Sequence, residues 1–325
     1  MSDAMESTWE RRNQIYPVNK ALAQQLFDPF IPQKNITAIT YLSGGLRNTN
    51  YKISVDGYKT PFVLRIYADE DESCKKELAI YKLLKGVVPL PQIYYTTTTK
   101  DIIDRSFSIL GYLEGTTLAN MIKSGWQPGE EIASEIGGLL GTIHSHRFEK
   151  TGFLDENLRV SEELGPIHEW MEKYVLQPVG TDKVQQKLPP GLAERLKIFV
   201  RQEQTVLSDK PPLVLSHGDF KPTNILISGH KITGILDWEF AFAGPYYFDL
   251  GQILRYDEDL PHNFENHLMA GYRQNIDYNI PEYWKRMARS IDLINLIGFL
   301  EDCQNRPEMQ KQVVRLISKT IDFDG

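Results

Sequence analysis

Cysteine is scarce in this chain. Among its 325 residues only Cys74 and Cys303 are cysteines, far apart in sequence and outside any C-x-x-C pair. This scarcity argues against a disulfide framework and against a cysteine-based zinc site. Reduced thiols are the simple expectation, and they favour a cytoplasmic location.

Long apolar runs and an excess of positive charge are also lacking. No stretch approaches the length of a membrane span, and the first ten residues are acidic and lack the apolar core of a secretory signal. The formal net charge of -7 argues against a nucleic-acid partner, because binding to a phosphate backbone usually leaves a basic footprint. We therefore expect neither a membrane nor a nucleic-acid partner. Both a monomer and a homodimer stay open.

The most informative stretch runs from Leu213 to Leu250 and reads LVLSHGDFKPTNILISGHKITGILDWEFAFAGPYYFDL. Its short apolar runs, rich in Ile and Val and split by Gly, predict brief buried strands joined by tight turns. Asp219 and Asn224 lie at the mouth of one predicted hairpin, and Asp237 lies where that hairpin ends. The pattern therefore predicts one convergent polar cluster.

Phosphoryl transfer needs such a cluster, because the protein mainly supplies positioning, metal ions and a group that accepts the hydroxyl proton. Asp219 suits the last role, whereas Asn224 and Asp237 offer the hard oxygen ligands that Mg²⁺ prefers. The alternative is that these side chains only cap turns, as Asp and Asn often do. That alternative suits any one of them, but not all three in this order and spacing.

Two segments carry a resemblance to a known family. His217–Asn224, with the sequence HGDFKPTN, and Ile235–Glu239, with ILDWE, resemble the aminoglycoside phosphotransferase and choline kinase superfamily, which has a protein-kinase-like fold. The D-x-x-x-x-N spacing is that of the protein-kinase catalytic loop, but HGD replaces HRD and DWE replaces DFG. The resemblance implies that Asp219 is the catalytic base and that Asn224 and Asp237 bind Mg²⁺.

Two further residues are predicted to support the catalytic loop. Asp249 follows Gly244-Pro245 and matches a family feature, an Asp that holds the loop from the next helix. His217 precedes the catalytic Asp219, and we predict that it braces the loop rather than titrating in the reaction.

A glycine-rich loop lies between two predicted strands, Ile36–Leu42 and Asn50–Val55. Gly-Gly in such a loop lets backbone N–H groups approach phosphate oxygens closely, although taken alone it is equally an ordinary hairpin. Its pattern S-G-G-x-x-N-x-x-Y resembles the nucleotide loop of the superfamily. The resemblance implies nucleotide contacts from four residues: Ser43, Gly44, Gly45 and Asn48.

The resemblance also places Arg65, on a third strand, where kinase folds carry a phosphate-pairing lysine, with Glu77 on the following helix as its partner. Arg stays charged and pairs bidentately with phosphate, so the role can survive the exchange. The alternatives are a surface ion pair for Arg65 and a solvent-facing Glu77. Farther on, the backbone from Gly111 to Leu113 would form a hinge that meets an adenine edge, or simply a strand end before a turn.

These segments predict an α+β, protein-kinase-like fold of two lobes. We expect an N-terminal helical extension over 1–35, a small β-rich N-lobe that binds nucleotide over 36–113, and a larger, mainly helical C-lobe over 114–325. The apolar pattern predicts these C-lobe helices: 117–123, 130–146, 167–175, 192–207, 248–255, 264–274, 281–303 and 307–321.

The leading hypothesis is a small-molecule kinase that transfers the γ-phosphoryl group of ATP or GTP to an acceptor hydroxyl with Mg²⁺. An aminoglycoside-like or other amino-sugar acceptor ranks first, while choline, homoserine, a macrolide and a sugar stay open. A protein kinase is disfavoured because neither H-R-D nor A-P-E occurs.

Two questions stay open at this level. Acidic residues of the C-lobe either line a pocket for a cationic acceptor or form a solvated face; they are Asp257, Glu258, Asp259, Glu301 and Asp302. An inactive nucleotide-binding interaction module is the hypothesis from a different class. The exchange of the usual lysine for Arg65 favours it, and the complete set of Asp219, Asn224 and Asp237 opposes it.

Overall fold

The computed structural model describes residues 4–6, 9–68, 71–203 and 210–323. Its smaller part is an antiparallel five-stranded sheet in the order β1-β2-β3-β5-β4. The strands are β1 (Ile36–Leu42), β2 (Thr49–Val55), β3 (Phe62–Ile66), β4 (Ile93–Thr97) and β5 (Phe107–Gly111). Two helices accompany this sheet, α1 (Lys20–Phe27) and α2 (Asp71–Leu83).

The apolar alternation of the strands explains how this sheet packs. Every second residue of β2 is buried, because successive side chains on a strand point to opposite faces. Ile53 and Leu64 are fully buried together with Phe27 of α1, so α1 covers one face of the sheet. Ile80 of α2 belongs instead to the core of the larger part. Helix α2 thus joins the two parts.

The larger part is mainly helical and carries two small sheets. Its helices are α3 (Leu118–Lys123), α4 (Glu130–His144), α5 (Ile167–Met171), α6 (Gln177–Val179), α7 (Asp182–Gln185), α8 (Leu192–Gln202), α9 (Tyr247–Ile253), α10 (Phe264–Gln274), α11 (Trp284–Glu301) and α12 (Pro307–Ile321). A π-helical turn, Glu172–Leu176, joins α5 to α6. None of the helices in the described part of the chain has the length and apolar composition that crossing a membrane requires.

The strands of the larger part are short. They are β6 (Thr116–Thr117), β7 (Arg147–Phe148), β8 (Gly152–Leu154), β9 (Val160–Glu163), β10 (Leu213–Ser216), β11 (Ile225–Ser228), β12 (Lys231–Ile235) and β13 (Phe242–Pro245). One sheet has the order β7-β10-β13-β8-β9, and the other has the order β12-β11-β6. The predicted α+β class is confirmed.

Some predicted bounds need correction. The helix expected over 130–146 ends at His144, and the helix expected over 281–303 spans Trp284–Glu301. The helix expected over 192–207 is described only to Gln202, because its predicted end lies outside the described residues. Strands β6 to β9 and β13 were not predicted, because segments of two to four residues carry too little alternation to recognise.

Helices α4 and α10 approach each other through glycine. A β-carbon on Gly137 would overlap the carbonyl of Leu268, and one on Gly271 would overlap the carbonyl of Ser134. Only glycine therefore permits this backbone spacing. The close contact fixes α4, which ends at His144 near the candidate site.

Candidate active site

The β11–β12 hairpin brings Asn224 and Asp237 together, as predicted. Ile225 pairs with Ile235 across the hairpin, and the N–H of Leu236 donates to the carbonyl of Asn224 at 2.9 Å. Asp237 follows directly, with φ 65° and ψ 65°. This left-handed conformation is uncommon outside glycine and concentrates at functional sites. The Asp237 side chain stays 29% exposed and is thus accessible from solvent.

The loop before the hairpin fixes the carboxylate of Asp219. The side-chain nitrogen of Asn224 donates to its Oδ2 at 2.8 Å and to the Asp219 carbonyl at 2.9 Å. The ammonium of Lys221 lies 2.9 Å from its Oδ1. Both oxygens are therefore held, yet the side chain keeps 15% exposure. An anchored and accessible carboxylate is what a general base requires.

His217 and Gly218 shape the same loop. His217 donates from Nε2 to the carbonyl of Leu236 at 2.9 Å, and its Nδ1 accepts from the N–H of Asp219 at 3.2 Å. Burial lowers the pKa of His217, which matches this neutral form of the ring. Gly218 has φ 79°, and a β-carbon there would overlap the carbonyl of Phe240. The loop thus needs glycine at this point.

Two side chains of helix α9 form hydrogen bonds with the loop from His217 to Phe220. Asp249 is fully buried and accepts from the N–H groups of His217 at 2.7 Å and Gly218 at 2.9 Å. Gln252 accepts from the N–H of Phe220 at 2.8 Å and donates to the carbonyl of Gly218 at 2.7 Å. The sequence reasoning missed Gln252. Its position one helical turn after Asp249 is the signal that could have revealed it.

The smaller part contributes a buried cation to the site. Arg65 is 5% exposed and Glu77 is 1% exposed, so the surface ion pair and the solvent-facing Glu are both wrong. Arg65 Nε lies 3.2 Å from Glu77 Oε2, and its Nη2 lies 2.7 Å from Asp237 Oδ1. Within the described residues neither nitrogen makes an aligned hydrogen bond. These contacts are therefore ion pairs rather than aligned hydrogen bonds.

The opposite charges of Arg65, Glu77 and Asp237 stabilise one another. Burial by itself lowers the pKa of Arg65, but the attraction of Glu77 and Asp237 outweighs it and raises the pKa. Burial tends to raise the pKa of Asp237, and the positive charge of Arg65 reverses that effect, leaving the pKa lowered. Tyr67 and Tyr81 donate to the Glu77 carboxylate at 2.5 and 3.3 Å. Arg65 and Asp237 are thus both charged at neutral pH.

The glycine-rich loop connects β1 and β2 in the smaller part of the protein. Gly44 has φ 107° and open space around it, so its backbone is accessible; Ser43 and Gly45 flank it. The Asn48 side chain is buried, and its Oδ1 accepts from the N–H of Ala68 at 3.0 Å, while its Nδ2 makes no hydrogen bond within the described residues. This contact shows that the Asn48 oxygen supports the loop from inside the protein.

The predicted hinge, from Gly111 to Leu113, has two of its backbone N–H groups bonded within the protein. The N–H of Gly111 donates to the carbonyl of Gln92 at 2.7 Å, and that of Tyr112 donates to the carbonyl of Pro61 at 3.4 Å. These two N–H groups are engaged within the protein, and the contact of the backbone from Gly111 to Leu113 with an adenine edge stays a prediction.

A metal would be held by few protein groups. No group of three or more His, Cys, Asp or Glu side chains suited to a metal is found among the described residues. The Asp237 carboxylate and the Asn224 amide are still hard oxygen donors side by side. They fit Mg²⁺, which usually takes one or two protein ligands and fills its octahedron with waters and substrate phosphates.

Two titratable groups lie beside the Asp-Trp-Glu segment. Burial, reinforced by the charge of Asp237, raises the pKa of Glu239 to about 7. Lys76 of α2 is 9% exposed and donates to the carbonyl of Ala241 at 2.9 Å. Burial lowers its pKa to about 8. Lys76 therefore links α2 to the segment that follows Asp237.

Lys76 makes stability depend on pH in a specific direction. Its folded pKa of about 8 is below the ordinary 10.5, so between these values the unfolded chain binds more protons and the free energy of unfolding rises with pH. At about 1.36 kcal/mol per unit, the rise is on the order of 3 kcal/mol across that window. Lys76→Met should remove it, as measured by urea unfolding at the two ends of the window.

Lys82→Met is the matched control, since Lys82 lies exposed on the same helix. It should keep the wild-type dependence on pH. Equal slopes for wild type and Lys76→Met would contradict the assignment of this rise to Lys76.

Three of the five acidic residues considered for a cationic acceptor form ion pairs with basic side chains. Asp257 pairs with Arg289 and Lys319, and Glu258 pairs with Arg315. Asp257 and Glu258 are therefore paired with positive charges, and the choice between an acidic pocket and a solvated face stays open for the group as a whole. Asp302 likewise lies 3.1 Å from Arg12.

The fold and this site together define a phosphotransferase. The model of the phosphotransferase enzyme family matches residues 38–288, most of the chain. The chain belongs to this family. Comparison with curated protein sequences gives no match.

Solved structures share the fold at low sequence identity. The macrolide 2'-phosphotransferase MphH from Brachybacterium faecium has a TM-score of 0.65 at 15% identity, covering 93% of this chain and 98% of that one. A thermostable mutant of the aminoglycoside phosphotransferase APH(4)-Ia has a TM-score of 0.63 at 16% identity, covering 93% and 99%. A Thermobifida fusca protein, provisionally assigned as a fructosamine-3-kinase, has a TM-score of 0.64 at 15% identity, covering 94% and 100%.

Proposed function

We propose that this protein transfers the γ-phosphoryl group of ATP or GTP to a hydroxyl group of a small molecule. The observation that carries the proposal is the link from Arg65 through Asp237 to the catalytic loop. Arg65 is buried and lies 2.7 Å from Asp237, and Asp237 adjoins Asn224, which holds the Asp219 carboxylate. A cation suited to phosphate, two oxygen ligands and a fixed carboxylate are thus joined by a continuous series of contacts.

Each residue has a distinct task in this proposal. Asp219 accepts the proton of the acceptor hydroxyl as the hydroxyl oxygen bonds to the γ-phosphorus, while the bond from that phosphorus to the bridging oxygen breaks and ADP or GDP leaves. Arg65 and the backbone around Gly44 bind the phosphates, and Leu113 meets the adenine edge. Asp237 and Asn224 would hold Mg²⁺, which neutralises charge on the phosphate oxygens when bound. Complexes of APH(4)-Ia with AMP-PNP or ADP and hygromycin B support a nucleotide donor and a small-molecule acceptor.

The acceptor is proposed only as a class. An aminoglycoside-like or other amino-sugar is the first candidate, followed by a macrolide, choline, homoserine or a simple sugar. Because Asp257 and Glu258 are paired with basic side chains, these two residues give no reason to prefer a cationic acceptor over a neutral one. The test must therefore include both cationic and neutral acceptors.

The testing experiment measures nucleotide consumption with Mg²⁺ across a panel of these acceptors, each with ATP and with GTP. Mass spectrometry then identifies a phosphorylated product. We expect turnover that depends on one acceptor class. Nucleotide binding without turnover on any acceptor would favour the inactive binding module, and absence of nucleotide binding would overturn the proposal.

A further inference from the structure

An N-terminal arm, made of the described residues 4–6 and 9–13, enters the candidate active site. Glu6 Oε2 lies 2.6 Å from the ammonium of Lys221, and Oε1 lies 2.8 Å from Arg255 Nη1. All three side chains are nearly buried, with residue exposures of 7% for Glu6, 8% for Lys221 and 6% for Arg255. A carboxylate buried to this extent needs such partners, because an unpaired buried charge is costly.

Lys221 connects this arm to the catalytic carboxylate. Its ammonium lies 2.9 Å from Asp219 Oδ1, so it bridges two carboxylates. A hydroxyl that gives its proton to Asp219 must come within about 3 Å of it. The Lys221 ammonium is therefore next to the place where the hydroxyl meets the transferred phosphoryl group, and it can stabilise the negative charge there. A lysine has a long flexible stem, so its aim depends on what holds it.

Arg255 is a rigidly held ion-pair partner of Glu6. Its guanidinium binds Asp292 of α11 through Nε at 2.8 Å and Nη2 at 2.6 Å, which leaves Nη1 for Glu6. The two-pronged contact fixes the plane of the guanidinium. Glu6 is thus held from one side by a rigid cation and holds a flexible cation on the other.

The opposite end of the arm binds the glycine-rich loop. Arg11 Nη2 donates to the carbonyls of Arg47 and Asn48, both at 2.8 Å, and Nη1 donates to the carbonyl of Gly45. The carbonyl of Leu46 accepts from the N–H of Arg12 at 3.1 Å. The Arg11 guanidinium thus satisfies three carbonyls of the loop, and the Arg12 N–H satisfies a fourth. Together these bonds fix the loop that is proposed to bind phosphate.

Between its two ends the arm is anchored on the C-terminal helices. Trp9 is buried, donates from Nε1 to Gln312 at 2.9 Å and packs edge-on against Phe299 with ring centroids 4.9 Å apart. Met5 is buried in the same core. The arm is therefore a packed part of the protein, and its two ends contact both halves of the proposed reaction site.

We propose that Glu6 is a positioning residue that aims Lys221 at the transferred phosphoryl group, while Arg11 positions the phosphate-binding loop. This inference rests on the proposed kinase function and adds Glu6 and Arg11, but not the rest of the arm, to its machinery. It assigns different kinetic effects to the two ends. Loss of Glu6 affects the chemical step, whereas loss of Arg11 affects nucleotide binding.

The test compares Glu6→Gln and Arg11→Met in the full chain, with Mg²⁺ and AMP-PNP for binding and the responsive acceptor of the panel for turnover. Phosphate release to water is measured in parallel. Glu6→Gln should lower kcat about 10- to 100-fold, as removal of supporting groups does at other sites, and leave the Kd for AMP-PNP within about twofold. Arg11→Met should weaken AMP-PNP binding about tenfold and leave kcat at saturating nucleotide within about threefold.

Two further variants separate positioning from a merely structural role. If Glu6 acts through Lys221, the double variant Glu6→Gln, Lys221→Met has the same kcat as Lys221→Met alone, whereas independent roles multiply. Glu10→Gln is the matched control, since Glu10 lies in the same arm but accepts from the N–H of Glu308. It should keep wild-type kinetics.

The outcomes distinguish the two proposals. A wild-type protein that turns over while Glu6→Gln matches it, or exceeds it because the arm blocks the acceptor, overturns the positioning role alone. Multiplicative losses in the double variant overturn it as well. A wild-type protein that fails to bind AMP-PNP overturns the kinase function and this inference with it.

Discussion

Asp219→Asn should reduce kcat about 10²- to 10⁴-fold, the range that a general base contributes. The amide has almost the same shape but cannot accept the hydroxyl proton. It is also mismatched to its surroundings, because Oδ1 of Asp219 faces Lys221 and Oδ2 faces Asn224, both of which donate. Steady-state kinetics with the responsive acceptor measures the loss.

Nucleotide binding separates this effect from a loss of fold. The Kd of Asp219→Asn for AMP-PNP with Mg²⁺, measured by calorimetry, should stay within a few fold, because the phosphates are assigned to Arg65 and the glycine-rich loop. Asp101→Asn alters an exposed loop carboxylate and should leave both quantities unchanged. Turnover by Asp219→Asn at the wild-type rate would rule out Asp219 as the base.

The helices of the larger part were predictable because their apolar patterns extend over several turns. The segments Phe264–Gln274 and Pro307–Ile321 have the predicted bounds. Strand β13 escaped prediction because Phe242–Pro245 contains Gly and Pro, which usually indicate a turn. It is a strand because β10 and β8 pair with it from both sides, and pairing with remote segments leaves no local pattern.

The site was predictable where its residues are close in sequence. The spacing of Asp219, Asn224 and Asp237 indicated a cluster, and the hairpin register brings it about. The resemblance predicted Glu77 as the partner of Arg65. It did not predict the ion pair of Arg65 with Asp237, which joins the two parts of the fold. Resemblance also suggested a nucleotide contact for Asn48; its side-chain oxygen accepts from the N–H of Ala68, and the nucleotide contact stays a prediction.

The N-terminal arm could not have been found from sequence. Glu6 is separated from Lys221 by more than 200 residues of chain and from Arg255 by 249, and neither pair belongs to a periodic pattern. Lys221 itself lies inside the recognised motif, two residues after Asp219. Its position was therefore visible, but its role as a bridge depends on the arm that only the fold brings to it.

Asp249→Ala should lower the free energy of unfolding by about 3 to 5 kcal/mol, the usual cost of breaking a buried, charged hydrogen-bond group. The Asp249 carboxylate is fully buried and accepts from the N–H groups of His217 and Gly218 and from His144 Nε2 at 2.9 Å. Removing it leaves three buried donors without their acceptor. His144 cannot turn away, because its Nδ1 accepts from the hydroxyl of Tyr272 at 2.6 Å.

Urea unfolding should show the loss as a lower midpoint concentration. Thermal unfolding should show a decrease in melting temperature on the order of 10 °C. Asp249→Asn should lie between wild type and Asp249→Ala, since the amide keeps one acceptor but points its N–H₂ at a donor. Asp277→Ala is the matched control, because that carboxylate pairs with Arg147 but is 85% exposed, and exposed ion pairs contribute about 0–1 kcal/mol. Equal unfolding midpoints for Asp249→Ala and Asp277→Ala would show that the catalytic loop does not depend on α9, and the support assigned to Asp249 would then be wrong.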